Sequence, residues 1–514
     1  MKFHYGNTDA TLNLAEVLEN GARARPQAIA TICLGSQLTY AETNTAANRF
    51  ANGLRNLGVG EGDRVAVMLP NIPEFVIAYF AVLKLGGTVV PMNTMFRQIE
   101  IRYILEDSQA KAMIVWEPVI AEALKALPLC PSCRHCIAVG DNPPPGTLAL
   151  QAITESSPSD LATCQTRETD TAVILYTSGT TGRSKGAELT HFNMHSNATT
   201  VADMIDIQDS DRFVATLPLF HSFGQTHVMN ATFARGGSII LHPRFEASRV
   251  LESFQRDGAT LFAGVPTMYF YLLQAASTEG IAANSLRLCI SGGAPLPVPV
   301  LHEFEKRFGA VILEGYGLSE TSPVACSNRP DRARKPGSIG IPIPGAEMRI
   351  FDDRGRELPA NEVGEVVIRG PLIMKGYLNE PEATAEAMRD DWFHSGDLGY
   401  HDEDGYFYIV DRKKDMILKS GYNVYPREVE EILYRHPAVA EAAVVGVPDV
   451  AKGEEVKAYV ALKADVAASE EGIVDHCRKL LSAYKCPKYV EFLPSLPKSA
   501  TGKILRRELR NPSS

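Results

Sequence analysis

Short β-rich runs alternate regularly with helical patterns along the N-terminal part of the chain. Residues 63–69 predict a strand, residues 72–85 a helix and residues 88–91 the next strand. After a loop-like stretch near residues 137–168, further strands are predicted at 171–176, 212–216, 238–241, 260–262, 286–290 and 310–313. Such alternation indicates βαβ units with largely parallel, buried sheets. The sequence therefore predicts an α/β fold.

The pattern changes twice towards the C-terminus. From about Gly337, short strands separated by turns predict a small β-rich region. A compact α+β block follows the charged run at residues 411–414, and its first helix is predicted to open at Pro426. Further elements of this block are predicted as strands at 442–447 and 456–462 and a helix near 473–483. We therefore predict an N-terminal domain of residues 1–412 and a C-terminal domain of residues 413–514.

Composition and charge narrow the class of protein. The chain has 514 residues, of which 45% are hydrophobic and 22% charged, as is typical of a globular protein with at least two domains. The formal net charge of −10 argues against sequence-independent binding to nucleic acid, which needs a basic surface. An anion such as ATP can still bind where local lysines, arginines and backbone N–H groups overcome the global field.

The location of the protein is predicted from its apolar runs and its cysteines. The N-terminus shows no signal-peptide pattern, and residues 75–83, the longest uncharged apolar run, are far short of the ~20 residues of a spanning helix. We expect no integral membrane segment and a cytoplasmic location, which the unpatterned cysteines also favour. Cys130, Cys133 and Cys136 lack a fourth metal ligand at a suitable spacing, so we expect them in a reduced surface loop.

A loop rich in glycine and hydroxyl residues follows the strand that ends at Tyr176. It runs from Thr177 to Gly186 and includes Ser178, Gly179, Thr180, Thr181, Gly182 and Lys185. Glycines let the backbone approach an anion closely, while hydroxyls, N–H groups and a lysine offset its charge. The spacing does not match a P-loop, and a flexible turn is the alternative. We interpret the segment as a phosphate-binding loop.

Further motifs follow in a fixed order, at residues 291–295, 314–321, 395–399, 411–414, 419–426 and 497–504. Together with the phosphate loop they cover nearly the whole chain, which resembles the adenylate-forming superfamily: acyl- and aryl-CoA synthetases, beetle luciferases and peptide synthetase adenylation domains. The resemblance implies a large N-terminal domain that binds AMP and the acyl group, and a small mobile α+β lid. Lys414 would be the hinge between the two domains.

The resemblance also implies roles for individual residues. Lys503 would be the catalytic lysine, with Glu320, His221 and Thr181 as further catalytic residues, and Thr177 and Glu320 would hold Mg²⁺. ATP and AMP would contact the phosphate loop, Lys503 and a set of cleft residues: Gly293, Ala294, Pro295, Glu314, Gly315, Tyr316, Gly317, Thr321, Asp397 and Arg412. The acyl group would contact Phe220, His221, Phe223, Val265, Gly292 and Gly315. Coenzyme A would contact Ser420, Gly421 and Tyr422.

The activity implied is ligation of a carboxylic acid to coenzyme A through an acyl-adenylate, with ATP and Mg²⁺. Gly315 leaves space without a counter-charge, which favours a neutral apolar tail and hence a medium- or long-chain fatty acid. A 4-coumarate-like aryl acid and the loading of a separate carrier protein are the alternatives. A luciferase-like oxygenase would share every motif, whereas a binding module without catalysis would be expected to lose Lys503 or Glu320. The sequence is compatible with a homodimer.

Overall fold

The computed structural model describes residues 6–178, 183–279, 285–450, 452–464, 466–500 and 502–510. Its α-helices are α1 (Glu16–Ala24), α2 (Tyr40–Asn56), α3 (Pro73–Lys84), α4 (Gln98–Ser108), α5 (Ile120–Ala126), α6 (Leu150–Ser156), α7 (His191–Met204), α8 (Ala231–Ala234), α9 (Ala247–Arg256), α10 (Pro266–Glu279), α11 (Val298–Phe308), α12 (Pro381–Ala387), α13 (Pro426–Tyr434), α14 (Glu470–Arg478) and α15 (Arg506–Arg510). A π-helix spans Phe223–Asn230, and short 3₁₀ turns occur at Glu117–Val119, Leu127–Leu129 and Ser319–Thr321.

Strands form four sheets. They are β1 (Ile29–Cys33), β2 (Ser36–Thr39), β3 (Arg64–Met68), β4 (Thr88–Pro91), β5 (Ala112–Trp116), β6 (His135–Val139), β7 (Leu148–Ala149), β8 (Thr171–Ser178), β9 (Ser184–Thr190), β10 (Arg212–Ala215), β11 (Ser238–Leu241), β12 (Leu261–Gly264), β13 (Leu288–Ser291), β14 (Val311–Gly317), β15 (Val324–Ser327), β16 (Ile341–Pro342), β17 (Glu347–Phe351), β18 (Gly364–Arg369), β19 (Gly376–Tyr377), β20 (Met388–Arg389), β21 (Trp392–His401), β22 (Phe407–Arg412), β23 (Ile417–Lys419), β24 (Tyr422–Val424), β25 (Val439–Asp449), β26 (Gly453–Leu462) and β27 (Tyr489–Phe492).

Two large sheets dominate the N-terminal part. The first has the order β19-β9-β8-β4-β3-β5-β6-β7, and its strands from β8 to β7 are parallel. The second has the order β16-β15-β14-β13-β12-β10-β11-β1-β2 and is parallel from β14 to β1. The predicted α/β fold with parallel-rich sheets is confirmed. One expectation is wrong, because the stretch predicted as a loop contains the end of β6, β7 and α6.

Helix α3 packs in the middle of this part. Every residue from Phe75 to Lys84 is buried, as expected for a helix that is apolar on all sides. The one charged residue of that run, Lys84, is fully buried and forms an ion pair with Glu19. Burial lowers the pKa of Lys84, although Glu19 partly opposes the shift. A buried cation of this kind persists only because a carboxylate accompanies it.

Two smaller sheets follow the parallel ones, and the last of them has its own core. A third sheet, β17-β18-β21-β20 with β22 beside β21, is antiparallel and matches the predicted β-rich region. The fourth sheet, β24-β23-β26-β25 with β27 beside β26, is covered by α13 and α14. Its two apolar clusters are drawn from residues between Ile417 and Leu509. The predicted α+β block therefore folds around a core separate from that of the parallel sheets.

The cysteines near β6 are placed differently from the expectation. Cys130, Cys133 and Cys136 are buried and belong to the apolar cluster on one face of the first sheet. Burial raises the pKa of the Cys133 thiol to about 12, so the group stays a neutral thiol. The prediction of a surface loop is wrong because a small apolar thiol packs readily against the β5–β6 edge.

The length and polarity of the described helices decide whether any of them could cross a membrane. Within those residues, every helix is too short or too polar to span a bilayer.

Candidate active site

The site lies at the carboxyl edge of the second sheet. Strands β12, β13 and β14 are parallel neighbours in register, with Gly264 beside Ser291 and Ser291 beside Glu314. The residues that follow these positions, Val265, Gly292 and Gly315, therefore come together although they are far apart in sequence. Ligands bind at this edge in open α/β sheets, because the strands end there and loops take over.

An acidic and a basic side chain meet next to Tyr316. The Tyr316 hydroxyl donates to Asp397 Oδ2 at 2.7 Å, and Arg412 Nε lies 3.4 Å from Asp397 Oδ1. Strands β21 and β22 create this arrangement by pairing Asp397 directly with Arg412. Asp397 is buried while Arg412 is only partly so. The structure thus brings together an aromatic ring, a carboxylate and a guanidinium, as the nucleotide prediction requires.

Lys503 and His221 face the same cleft. Both side chains are accessible to water yet closely surrounded by protein atoms, as expected on the walls of a narrow opening. Burial and the positive charge of Arg412 lower the pKa of Lys503 to about 8, while Asp397 opposes the shift. Burial and the Lys503 charge lower the pKa of His221 to about 4, so the imidazole is neutral near pH 7.

A close backbone contact brings Lys503 to the cleft. Gly502 has a φ of +81°, and a Cβ there would lie 3.0 Å from a Val265 methyl and 3.1 Å from Thr267 Oγ1. The Thr267 hydroxyl donates to the Gly502 carbonyl at 3.2 Å. Glycine is suited to this position because it adopts a positive φ without strain and leaves room for the neighbouring helix. The C-terminal loop is therefore docked on the wall that carries Val265.

The predicted Mg²⁺ ligands lie side by side. The Thr177 hydroxyl donates to Glu320 Oε1 at 3.2 Å, and the Tyr377 hydroxyl donates to the same oxygen at 2.9 Å. Among the described residues, no group of three or more His, Cys, Asp and Glu side chains could hold a metal alone. One carboxylate with a hydroxyl fits Mg²⁺, which keeps waters and takes further oxygens from substrate phosphates.

The phosphate loop is described only at its two ends. Strands β8 and β9 form an antiparallel pair that places Thr177 opposite Lys185. The Lys185 ammonium lies 5.3 Å from the centre of the Tyr377 ring, close to Glu320. Ser178 ends β8, although its side chain is not described. The predicted contacts of Gly179, Thr180, Thr181 and Gly182 lie outside the described residues.

Two residues of the 314–321 motif turn their polar groups towards the protein. Glu314 accepts hydrogen bonds from the N–H groups of Leu296 at 3.1 Å and Gly337 at 3.2 Å. Burial raises the pKa of Glu314 to about 7, which these hydrogen bonds partly offset. The Thr321 hydroxyl is fully buried and donates to the Pro323 carbonyl. The structure therefore does not bring these two groups to the open cleft, and their contacts to nucleotide remain predictions.

The loop after β13 lies at the open side of the cleft. Gly293 and Pro295 are exposed and Ala294 is half-buried. Gly293 has a φ of +78°, and a Cβ there would lie 3.4 Å from a Val265 methyl. Gly317, by contrast, faces inward, because a Cβ there would overlap the Pro323 carbonyl. The loop can therefore offer its backbone to a flat ring, while Gly317 serves close packing.

The predicted acyl pocket has an aromatic wall. Phe220 and Phe223 are half-buried, and Phe223 begins the π-helix. A Cβ at Gly292 would lie 2.9 Å from the Phe223 ring, so glycine lets that ring pack closely against the loop after β13. Val265 is buried beside them. The structure thus brings Phe223, Val265 and Gly292 of the predicted acyl site close together, and their contacts to an acyl group remain a prediction.

The predicted coenzyme A residues lie on an exposed hairpin of the fourth sheet. Ser420 and Gly421 form the turn between β23 and β24, and Tyr422 stacks loosely on Tyr484 with ring centres 4.9 Å apart. Lys414 lies in the short connection between β22 and β23. Burial and the charge of Arg412 lower the pKa of Lys414. The site therefore presents Lys503 to the cleft while the hairpin faces solvent.

Several site residues were not predicted from the sequence. Tyr377 contacts both Glu320 and the region of Lys185, and no motif contains it. Arg506 joins the C-terminal part to β22 through Asp411, with Nη1 to Oδ1 at 2.8 Å, and also pairs with Glu430. A basic run at residues 503–510 was visible, but nothing in it distinguished Arg506 from its neighbours.

Comparisons with known proteins show the family. The model of the AMP-binding enzyme family matches residues 18–378, and that of the AMP-binding enzyme C-terminal domain matches residues 428–503. The chain belongs to this family. The predicted membership of the adenylate-forming superfamily, and of its acid–CoA ligases that use ATP, is confirmed.

Relatives and solved structures extend over the whole chain. The long-chain-fatty-acid–CoA ligase of Bacillus subtilis (strain 168) is 40% identical, covering 96% of this chain and 94% of its own. A feruloyl-CoA synthase of Amycolatopsis sp is 39% identical, covering 95% of this chain and 96% of its own. The crystal structure of the anthranilate CoA ligase AuaEII in complex with anthranoyl-AMP superposes with a TM-score of 0.93 at 32% identity, covering 100% and 99% of the two chains.

Proposed function

We propose that this protein is a fatty-acid–CoA ligase that acts on a medium- or long-chain acid. The observation that carries the proposal is the apolar lining that Phe223, Val265 and Gly292 form at the sheet edge. Burial of each CH₂ group against such a lining contributes about 0.8 kcal/mol. Gly315, which follows the last β14 residue paired with β13, brings no charge to that lining. The similarity to a long-chain-fatty-acid–CoA ligase supports the same choice.

In the first step the acid's carboxylate oxygen attacks the α-phosphorus of ATP. A P–O bond forms to give acyl-AMP, and the bond to pyrophosphate breaks. We assign Lys503 to charge stabilisation at the phosphates, His221 to the wall beside the carboxylate, and Asp397 with Arg412 to the ribose. Mg²⁺, held by Glu320 and Thr177, would offset phosphate charge when bound. The phosphate loop, including Thr181, is proposed to hold the leaving pyrophosphate.

In the second step the thiolate of coenzyme A attacks the acyl carbon, and AMP leaves as the thioester forms. The exposed Ser420–Gly421–Tyr422 turn must reach the cleft for this step, whereas the docked Gly502–Lys503 loop now occupies it. We therefore propose that residues 413–514 rotate about Lys414 relative to residues 1–412. The cleft must exclude water during this rotation, because water would hydrolyse acyl-AMP.

A second candidate substrate, a hydroxylated aryl acid, is favoured by one buried side chain. His227 lies on the π-helix with its ring centre 5.3 Å from that of Phe223, and burial lowers its pKa to about 3. Within the described chain neither of its ring nitrogens has a hydrogen-bond partner. A phenolic hydroxyl would satisfy a buried nitrogen that an alkyl chain leaves unpaired, at a cost of about 1–3 kcal/mol. The feruloyl-CoA synthase relative points the same way.

The cytoplasm is the proposed location. Its metabolite pools supply both ATP and coenzyme A, and the cysteines of the chain are all free thiols, as expected in a reducing compartment.

The test is coenzyme A-dependent AMP release with acetate, octanoate, palmitate, malonate, cinnamate and 4-coumarate. Highest kcat/KM with octanoate or palmitate supports the fatty-acid proposal. A clear preference for 4-coumarate over cinnamate that is lost in His227→Leu would move the enzyme to the aryl acids. Thioester formed from carrier protein but not from coenzyme A would identify a separate carrier as the acceptor. Absence of AMP release with every acid would contradict the proposal.

A further inference from the structure

Helix α10 of the large N-terminal part carries a second contact to the loop that precedes Lys503. Thr267 and Tyr271 lie one helical turn apart, so they share one face of α10. Thr267 donates to Gly502, and Tyr271 reaches further along the same loop. The Tyr271 hydroxyl donates to Glu441 Oε1 at 3.1 Å and accepts from Lys498 Nζ at 2.9 Å.

The partners of Tyr271 belong to one unit. Lys498 and Glu441 form an ion pair at 2.5 Å, and the Lys498 ammonium also lies 5.2 Å from the centre of the Tyr271 ring. Glu441 is buried, and its other oxygen accepts from the Leu496 N–H at 3.1 Å. Glu441 lies on β25 of the C-terminal sheet, so Lys498 and Glu441 stay paired wherever that sheet moves. Of these three residues, only Tyr271 belongs to the N-terminal part.

We propose that Tyr271 is a positioning residue for Lys503, acting as a latch for the adenylate-forming arrangement. This proposal rests on the rotation in the proposed function. When the C-terminal part rotates, the Lys498–Glu441 pair moves as a unit. The hydrogen bonds of Tyr271 are then lost together with the other contacts between the two parts, such as Thr267–Gly502. The Tyr271 hydroxyl therefore stabilises one arrangement and not the other. A group with such differential contacts shifts the equilibrium between two states by the free energy of those contacts.

The position of the latch explains why it acts through Lys503. Lys498 is five residues before Lys503, and an isolated bridge pairs Lys498 with Ile504 across the turn. Fixing Lys498 on α10 therefore fixes the base of the turn that carries Lys503, while the Thr267–Gly502 hydrogen bond fixes its tip. Tyr271 itself needs no contact with ATP or with the acid.

The experiment separates the two half-reactions in Tyr271→Phe. ATP–pyrophosphate exchange, which reports acyl-AMP formation, should fall about tenfold, as expected when a neutral hydroxyl loses its hydrogen bonds to charged groups. Thioester formation from synthetic acyl-AMP and coenzyme A should be unchanged or faster. Equal loss in both half-reactions, or no loss in either, would overturn the proposal. Tyr40→Phe is the matched control, because the Tyr40 hydroxyl bonds the Gly237 carbonyl inside the large part.

Amide hydrogen exchange gives a second test of the latch that does not depend on enzymatic turnover. In Tyr271→Phe the amides of residues 496–505 should exchange faster than in the wild type, while those of α14 keep their rates. Unchanged amide hydrogen exchange at residues 496–505 would contradict the latch proposal, whether or not any acid is turned over. Suppose that the wild type gave no ATP–pyrophosphate exchange with any acid, but that amide hydrogen exchange in Tyr271→Phe changed as expected. The proposed function would then be wrong, while the proposed contact of Tyr271 would still hold.

Discussion

The two walls of the cleft are built in different ways. The wall formed by Val265, Gly292 and Gly315 continues three hydrogen-bonded parallel strands and rests on the main core. The wall that carries Lys503 belongs to a part with its own core and touches the first wall through polar contacts such as Thr267–Gly502. Breaking those contacts exposes no apolar core, so the second wall can move while the first stays fixed.

This difference separates recognition from catalysis. A pocket for an acyl group needs fixed apolar surfaces, which a buried sheet edge provides. A charge that must be present for one step and absent for the next is better carried on a separately folded part. The predictions below test whether each wall affects only its own step.

Removal of the Lys503 ammonium should have the largest effect. In Lys503→Ala we expect ATP–pyrophosphate exchange to fall by about 10²–10³-fold, because charge that develops at the phosphates loses its stabilising group. Thioester formation from synthetic acyl-AMP should be retained within about threefold, since that step does not use the lysine.

The control for this variant is Lys463→Ala, which removes an exposed lysine of the same domain. It should leave both half-reactions intact. If Lys503→Ala slowed thioester formation as strongly as exchange, the assignment of this wall to one step would be wrong.

The pH dependence of adenylation should be the next largest effect. The pKa of Lys503 is lowered to about 8, so the protonated form dominates below that pH and is lost above it. We expect kcat/KM for ATP in the exchange reaction to be flat up to that pH and then to fall about tenfold per pH unit.

Lys503→Arg sharpens this test, because a guanidinium stays protonated throughout. Its pH profile should lose the alkaline fall even where its absolute rate is lower. An alkaline fall of the same midpoint in Lys503→Arg would show that another group titrates.

A change in the fixed wall should have the smallest effect and should fall on the acid alone. A methyl at position 292 would lie 2.9 Å from the Phe223 ring, which must shift to admit it. For Gly292→Ala we expect KM for octanoate or palmitate to rise about fivefold, equivalent to about 1 kcal/mol, with KM for ATP unchanged.

Gly60→Ala is the matched control, since no atom lies within 4 Å of a Cβ at that position. Steady-state kinetics with acetate give a further comparison, because the added methyl group should not change KM for so short an acid. A rise in the ATP KM of Gly292→Ala would mean that the acyl and nucleotide pockets share this wall.

Local pattern was enough to predict most of the architecture. The strands at 88–91 and 238–241 match β4 and β11 residue for residue, because short apolar runs bounded by turn residues fix strand ends. Helix α14 ends earlier than predicted, and α6 was missed, because element ends and short helices depend on tertiary packing. The resemblance implied nucleotide contacts for Tyr316, Asp397 and Arg412, and the structure places these three side chains together.

The sequence by itself determined the fold class and the family, because these depend on periodicity and on motifs within short segments. It also predicted the residues that line the cleft. Only the tertiary structure decided which polar groups are free to act. It turned Thr321 and Glu314 inward, left His227 without a partner and brought Tyr271 to Lys498 and Glu441. Such pairings join residues far apart in the chain, and their free energy depends on burial and distance, which no local pattern encodes.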